Sequence, residues 1–279
     1  MNIAYQGVPG SFSYITAQEQ FGKDHNFIGT KEFREIFEHL QAGRAERAVI
    51  PVENTVAGSI YENYDYLSRY NAHVIGERTL KVEHYLLGIK TNDDKESRLK
   101  KITKVYSHIK ALEQCESFLQ NHHWMEKIVY SDTAGAAQMV SEKKDPANAA
   151  IASNLAAEIY HLDILAANIE DNHENFTRFL VISSTPSETV GGNKCSLILT
   201  LPHIPGSLYE ALGIFAKHSM NLTKLESRPI IGKPFEYNFY IDIEFQAADY
   251  ERIKEVINTE FKQKTQTLKI LGFYQSLHP

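Results

Sequence analysis

The sequence predicts an α/β protein in two parts: a larger unit of alternating strands and helices, then a smaller unit in ferredoxin-like βαββαβ order. Three observations carry this. Short apolar runs such as Ala48-Val49-Ile50 and Ala149-Ala150-Ile151 alternate with helix patterns that begin on serine or threonine. A polar stretch with a proline and paired glycines, Ser183 to Asn193, interrupts that alternation. Beyond it, helix patterns are interleaved with four strand patterns. The 279 residues thus divide into 1–184, a linker over 185–193, and 194–279.

In the first unit, residues 2–5 read as a strand, followed by Gly7-Val8-Pro9-Gly10-Ser11-Phe12-Ser13. Two glycines, a proline and a serine make a tight turn into a helix N-terminus, which presents free N–H groups to an anion. The alternative is a plain turn with a serine cap. Thr30 is expected to cap the next helix, with Phe33, Ile36, Phe37 and Leu40 on one face. The strand Ala48-Val49-Ile50 runs into Glu53, Asn54, Thr55 and Ser59, a polar cluster where ligands bind in open α/β sheets. The alternative is a polar loop before the helix carrying Tyr61, Tyr64 and Leu67.

Residues 72–89 are strand-rich, and 91–101 are charged and read as a solvated loop or helix end. Ser107 is expected to cap a helix with Ile109, Leu112, Cys115, Phe118 and Leu119 inward; His108 after it reads more readily as a surface or capping histidine than as a cleft residue. Thr133 and Ser153 are further expected helix starts, each followed by small residues. This alternation predicts a largely parallel sheet. Converging helix starts would build a site for a small molecule with more than one carboxylate.

The first unit ends on Thr177-Arg178-Phe179 and the apolar run Leu180-Val181-Ile182. Strand alternation points Thr177 and Phe179 one way and Arg178 the other, although a long arginine stem at a strand start can swing toward a neighbouring cleft. In the second unit, Pro205-Gly206-Ser207 opens a helix, Leu222–Glu226 and Asn238–Phe245 are strands, Tyr250–Phe261 is an amphipathic helix, and Leu268–Tyr274 closes the unit.

Composition excludes several classes. Twenty-nine Lys and Arg against 35 Asp and Glu give a net charge of −6 without a basic run, so nucleic acid is not an expected partner. No apolar stretch nears the roughly 20 residues that span a bilayer. The N-terminus is strand-like rather than a signal peptide, so neither membrane nor export is expected. Cys115 and Cys195 lie outside any metal-type spacing and fit free thiols in a reducing cytoplasm. His122-His123, adjacent at a helix end, is poorly placed to chelate, so no metal is assigned.

Taken together, six motifs resemble prephenate dehydratase over essentially the full length. They are the Gly7–Ser13 turn, Pro51-Val52-Glu53-Asn54-Thr55 with Gly58-Ser59, Ser107-His108 with Ala111-Leu112 and Gln114-Cys115, Ser131-Asp132-Thr133-Ala134, Ile151-Ala152-Ser153, and Thr177-Arg178-Phe179. Ile109 departs from the family's usual proline. The tail, with Gly206-Ser207-Leu208 and Glu226-Ser227-Arg228-Pro229, is similar to the family's ACT regulatory domain. A fused chorismate mutase domain, known in some relatives, is not expected.

The resemblance implies two lobes like those of periplasmic binding proteins, with the active site between them, and a lyase that needs no cofactor. Prephenate would lose carbon dioxide and hydroxide to give phenylpyruvate in phenylalanine biosynthesis. It further implies catalytic roles for Thr177, Arg178, Phe179, Glu53 and Asn54. Thr177 would donate to the leaving hydroxyl and Arg178 would grip a carboxylate; Glu53 would brace Asn54 or Arg178, the favoured reading, or alternatively donate a proton. Ser11, Ser13, Thr55, Ser59, Thr133 and Ser153 would orient substrate. Gly206, Ser207, Leu208, Glu226, Ser227 and Arg228 would bind the allosteric ligand L-phenylalanine in a homodimer or homotetramer. Competing readings are arogenate dehydratase and a non-catalytic two-lobed binding protein with an amino-acid sensor domain.

Overall fold

A computed structural model of the chain describes residues 1–186, 189–230 and 232–276. Ser187 and Glu188 of the expected linker lie outside the described residues. The first lobe holds β1 (Asn2–Gln6), α1 (Phe12–Phe21), β2 (Asn26–Thr30), α2 (Phe33–Gln41), β3 (Arg47–Asn54), β4 (Gly58–Ser59), α3 (Tyr61–Arg69) and β5 (His73–Lys81). The chain then crosses to a second lobe: β6 (Tyr85–Gly88), α4 (Lys95–Lys101), β7 (Lys104–Ser107), α5 (Ile109–Gln114), α6 (Glu116–Asn121), β8 (Glu126–Val129), α7 (Thr133–Lys143), β9 (Asn148–Ala152), α8 (Asn154–Ile159) and β10 (Asp163–Ala166). It returns to the first lobe as β11 (Phe176–Ser183). The C-terminal unit is β12 (Lys194–Thr200), α9 (Ser207–Lys217), β13 (Asn221–Pro229), β14 (Tyr237–Glu244), α10 (Tyr250–Val256) with a π turn after it, and β15 (Thr267–Tyr274).

The sheets are mixed, which corrects the expectation of a largely parallel one. The first is ordered β2-β1-β3-β11-β5, with parallel pairs at β1 and antiparallel pairs at β11. The second, β10-β6-β9-β7-β8, is likewise half parallel and half antiparallel. The reason is topological: a chain that leaves a sheet and returns to it can insert its returning strand in either direction. Sequence alternation shows only that strands and helices alternate. The third sheet, β13-β14-β12-β15, is antiparallel throughout.

Two faces of the first sheet do different work. Ile3, Val49 and Phe179 pack with Ala17 of α1 on the front. Ala48, Ile50, Val52, Leu180 and Ile182 pack on the rear, against α2, α3 and the third sheet's Ile198, Tyr240, Leu271 and Tyr274. The third sheet's other face buries Leu197, Ile241 and Phe273 under its own helices. Contact between the sheets is close: a Cβ on Gly272 would lie 1.9 Å from the Val74 carbonyl oxygen.

Several helix starts shift by a residue or two from expectation. Glu32, with Glu35, forms a capping box on α2, while Thr30 ends β2. His108 rather than Ser107 caps α5, and Asp132 rather than Thr133 caps α7. An aspartate makes a better cap than a threonine, and a histidine Nδ1 accepts as an oxygen does. Asp94 caps α4 within the charged segment read as solvated.

Candidate active site

A cavity of about 450 Å³ lies between the lobes, in the size range of small-molecule sites. Its walls come from the Gly7–Ser13 turn and α1, from the ends of β3 and β11, and from the helix starts of α5 and α7. Phe12, Phe33, Phe179, Ile60 and Val82 supply apolar surface. Lys110 and Asp132 are the lysine and the carboxylate among the described lining residues.

Thr177 and Asn54 sit side by side at the floor, as register partners of β11 and β3. Both are almost fully buried. The Asn54 carboxamide has only one workable orientation. Its Oδ1 accepts from the backbone N–H groups of Val56 at 3.0 Å and Ala57 at 2.7 Å, so its NH2 must face the other way. There it donates to Thr177 Oγ1 at 3.0 Å and to Asn175 Oδ1 at 2.7 Å. A hydroxyl that accepts from a fixed amide keeps its own proton free. Thr177 is thereby set up as a donor toward the cavity.

A polar chain continues from this pair across the lobes. Asn175 Nδ2 donates to Gln114 Oε1 at 3.2 Å, and His84 Nε2 lies 2.9 Å from the same oxygen. Gln114 Nε2 lies 3.4 Å from Asn54 Oδ1, so Oε1 is the acceptor and His84 carries its proton on Nε2. His84 Nδ1 is then a buried acceptor with no partner among the described residues. His84 lies where the chain crosses between lobes; its backbone N–H donates to the buried Glu170 at 2.8 Å, and Val82 N–H to the Asn175 carbonyl at 2.7 Å.

Burial pulls the His84 imidazole below its ordinary range, against the bond to Gln114 and the nearby Glu170. Burial lowers His108 and His73 as well. A histidine whose folded pKa is depressed binds fewer protons in the native state than in the unfolded one. Stability therefore falls as pH drops below the unfolded value of about 6.5. We expect Tm to fall by a few degrees between about pH 7 and pH 5, and His84→Gln to flatten part of that slope. A Tm independent of pH over that range would contradict a buried neutral imidazole.

A family model described as "Prephenate dehydratase" matches residues 3–187. The chain belongs to the prephenate dehydratase family. It is 37% identical over 275 residues to the "Bifunctional chorismate mutase/prephenate dehydratase" of Aquifex aeolicus (strain VF5), spanning 98% of this chain and 73% of that protein. Among solved structures it resembles the prephenate dehydratase of Arthrobacter aurescens in complex with L-Phe, with a TM-score of 0.86 and 27% identity over 99% of this chain and 90% of that one. It also resembles a structure described as "GqqA- a novel type of quorum quenching acylases", with a TM-score of 0.87 and 31% identity over 99% and 98%.

Within the cavity between the lobes, the expected residues divide. Ser11, Ser13, Ser59, Asn54, Thr133, Thr177 and Phe179 line it. Ser11 caps α1 by accepting from the Tyr14 N–H, and the first N–H groups of a helix have no partner inside it. Arg178 is a correction. Its guanidinium lies on the rear of the sheet, 2.7 Å from Glu77 and 2.5 Å from Asp242. Strand alternation decided its direction, and the rear was an interface with two carboxylates rather than open space. Glu53 is a second correction. Phe179 pairs with Pro51 and Arg178 with Glu53, so Val52 is an extra, bulged residue. The bulge turns Glu53 rearward, where it meets Lys224 at 3.1 Å, and delivers Asn54 to the front.

Thr55 and Ser153 are further corrections. Thr55 Oγ1 bridges backbone, donating to the Glu174 carbonyl and accepting from Phe176 N–H, both at 2.9 Å. Ser153 Oγ caps α8 and donates to the Gly10 carbonyl at 2.6 Å, stitching one lobe to the other. That approach requires glycine: at Gly10, φ is +88° and a Cβ would come within 2.9 Å of Ala156 Cα. Gly206-Ser207-Leu208 and Glu226-Ser227-Arg228 are not brought together within one chain. Ser207 and Leu208 line a separate cavity of about 380 Å³ with Phe235 and Tyr237. Glu226 instead accepts from Ser59 Oγ at 3.0 Å, and Arg228 pairs with Asp65 at 2.9 Å.

Sequence reasoning did not single out Gln114, Asn175 or His84, which carry the polar chain away from Asn54. Gln114 was visible within a motif, and Asn175 lies two residues before Thr177. His84 left no signal, because it gains its meaning only from the crossing of the two lobes.

Proposed function

We propose that the chain converts prephenate to phenylpyruvate in phenylalanine biosynthesis. The observation that carries this is the Asn54 amide, locked by two backbone donors and directed at Thr177 Oγ1. In the reaction the bond from the ring to its hydroxyl breaks and oxygen leaves with its electron pair. The bond to the ring carboxylate also breaks, releasing carbon dioxide, and that electron pair completes the aromatic ring. Aromatisation supplies the driving force, so the protein needs no nucleophile.

Thr177 stabilises charge developing on the leaving oxygen, a role in which a weak acid suffices. With Arg178 turned away, the carboxylates fall to Lys110 and to the free N–H groups at the start of α1. The apolar wall of Phe12, Phe179 and Val82 suits the ring, and a carboxylate pressed against it sheds charge as carbon dioxide more readily than in water. Phe179 thus serves as a wall.

The C-terminal unit reads as an ACT domain on its βαββαβ order and strand arrangement. We assign the Ser207–Leu208 cavity to phenylalanine, supported by the L-Phe complex of the Arthrobacter relative. Edge strand β13, with Leu225 exposed, suits pairing with a second copy into a homodimer or homotetramer. Both cysteines are buried, which suits the cytoplasm. Among the described residues no helix is long and apolar enough to cross a membrane.

Asp132 on the cleft wall favours one second reading, arogenate, whose ammonium it would meet. Side-by-side assay of the purified protein on prephenate and arogenate tests both. Appearance of phenylpyruvate supports the first reading, appearance of phenylalanine the second, and absence of both overturns the assignment.

A further inference from the structure

Each dipeptide at the floor of the cleft has one residue in front and one behind. Asn54 and Thr177 are register partners in front; Glu53 and Arg178 are register partners behind. The third sheet presents a matching pair, since Lys224 of β13 is the register partner of Asp242 of β14. Glu53 meets Lys224 at 3.1 Å, and Arg178 meets Asp242 at 2.5 Å. Four charges, two from each sheet, close a square directly behind the Asn54–Thr177 hydrogen bond. The side chains of Arg178 and Asp242 are 15% and 9% exposed, so their attraction acts with little screening by water; Lys224 is 9% exposed but Glu53 38%, so that pair is screened in part and is backed by the Lys224 bond to Ser59.

Further links hold the same place. Lys224 Nζ donates to Ser59 Oγ at 2.6 Å, and Ser59 is the β4 partner of Glu53. Glu77 joins Arg178 to Lys194 of β12, whose Nζ lies 2.9 Å from it. Apolar contact alone would hold the third sheet against the first. Charge-assisted bonds do more, because they specify position along two strands at once. Such precision matters at Thr177, where a shift of about 1 Å between donor and reacting atom costs catalysis heavily.

We infer that Lys224 and Asp242 are positioning residues for the reaction, holding the Glu53-Asn54 and Thr177-Arg178 dipeptides in register from behind. The C-terminal unit thereby completes the active site without touching substrate. This rests on the reading that Thr177 is the donor in the cleft.

The test compares Lys224→Met, Lys224→Arg and Asp242→Asn with the wild-type full chain, measuring kcat, KM, Tm and backbone hydrogen exchange in β3 and β11. Lys224→Met and Asp242→Asn should lower kcat about tenfold with KM within about twofold, and should speed exchange in those two strands. Lys224→Arg keeps the charge opposite Glu53 and should restore kcat to within about threefold of wild type. Should Asp242→Asn fail to fold, the two Lys224 variants decide. Unchanged kcat in folded Lys224→Met, or no difference between Lys224→Met and Lys224→Arg, overturns the inference. An inactive wild type would instead overturn the functional reading on which it rests.

Discussion

Thr177→Val should lower kcat on prephenate by about 10²–10³-fold, the usual loss when one preorganised donor is removed from a developing oxyanion. Valine is near in shape and favoured in strands, so the fold should tolerate it. The Asn54 amide also keeps acceptors after the change, because Asn175 Oδ1 and the Phe176 carbonyl remain within 3.2 Å. Tm should therefore hold within a few degrees. Thr177→Ser keeps the hydroxyl but frees its rotation, and should fall within about tenfold of wild type. Phenylpyruvate formation by the three proteins checks this, and a valine variant as active as wild type would remove Thr177 from the chemistry.

Arg178→Met, one residue along, should act chiefly on stability, with kcat falling only about tenfold, as for Asp242→Asn. Burial disfavours the guanidinium's charge, yet Asp242, Tyr274 and Glu77 more than offset that, and its pKa lies well above the ordinary arginine range. In return, Arg178 and Lys194 hold the Glu77 carboxyl below its ordinary range, outweighing the upward pull of burial. Removing Arg178 leaves Asp242 and Glu77 short of a buried partner. Such a loss costs about 3–5 kcal/mol, or roughly 10 °C in Tm for a chain of this size. KM for prephenate should not rise, because the guanidinium does not reach the cleft. Thermal melts with steady-state kinetics decide; a tenfold rise in KM at unchanged Tm would return Arg178 to the substrate.

These two neighbours show what was legible in the sequence. Alternation along β11 correctly separated Thr177 from Arg178, and the error lay in letting the arginine stem swing back toward the cleft. What lay behind the strand was not visible, because Asp242 is 64 residues from Arg178. Glu53 failed for a more local reason: a bulge at Val52 reverses which face a residue shows, and a bulge depends on strand pairing rather than on local composition. The first turn served better. The turn before α1 and its Ser11 cap were read from Gly7 to Ser13 directly, since positive φ and a free hydroxyl are properties of single residues. Thr55 and Ser153 looked like ligand contacts because their hydroxyls stand at loop and helix starts. Their partners turned out to be backbone carbonyls, at Glu174 and Gly10, contributed by distant segments.

The most direct test of the account is the kcat of Asn54→Asp. The change keeps the size of the side chain and replaces an amide donor by an acceptor. Thr177 would then give its proton to that carboxylate rather than to the departing oxygen. A folded variant with kcat reduced about 10²-fold or more agrees with a threonine whose role is set by its amide neighbour. A folded variant turning over prephenate within about threefold of wild type contradicts it.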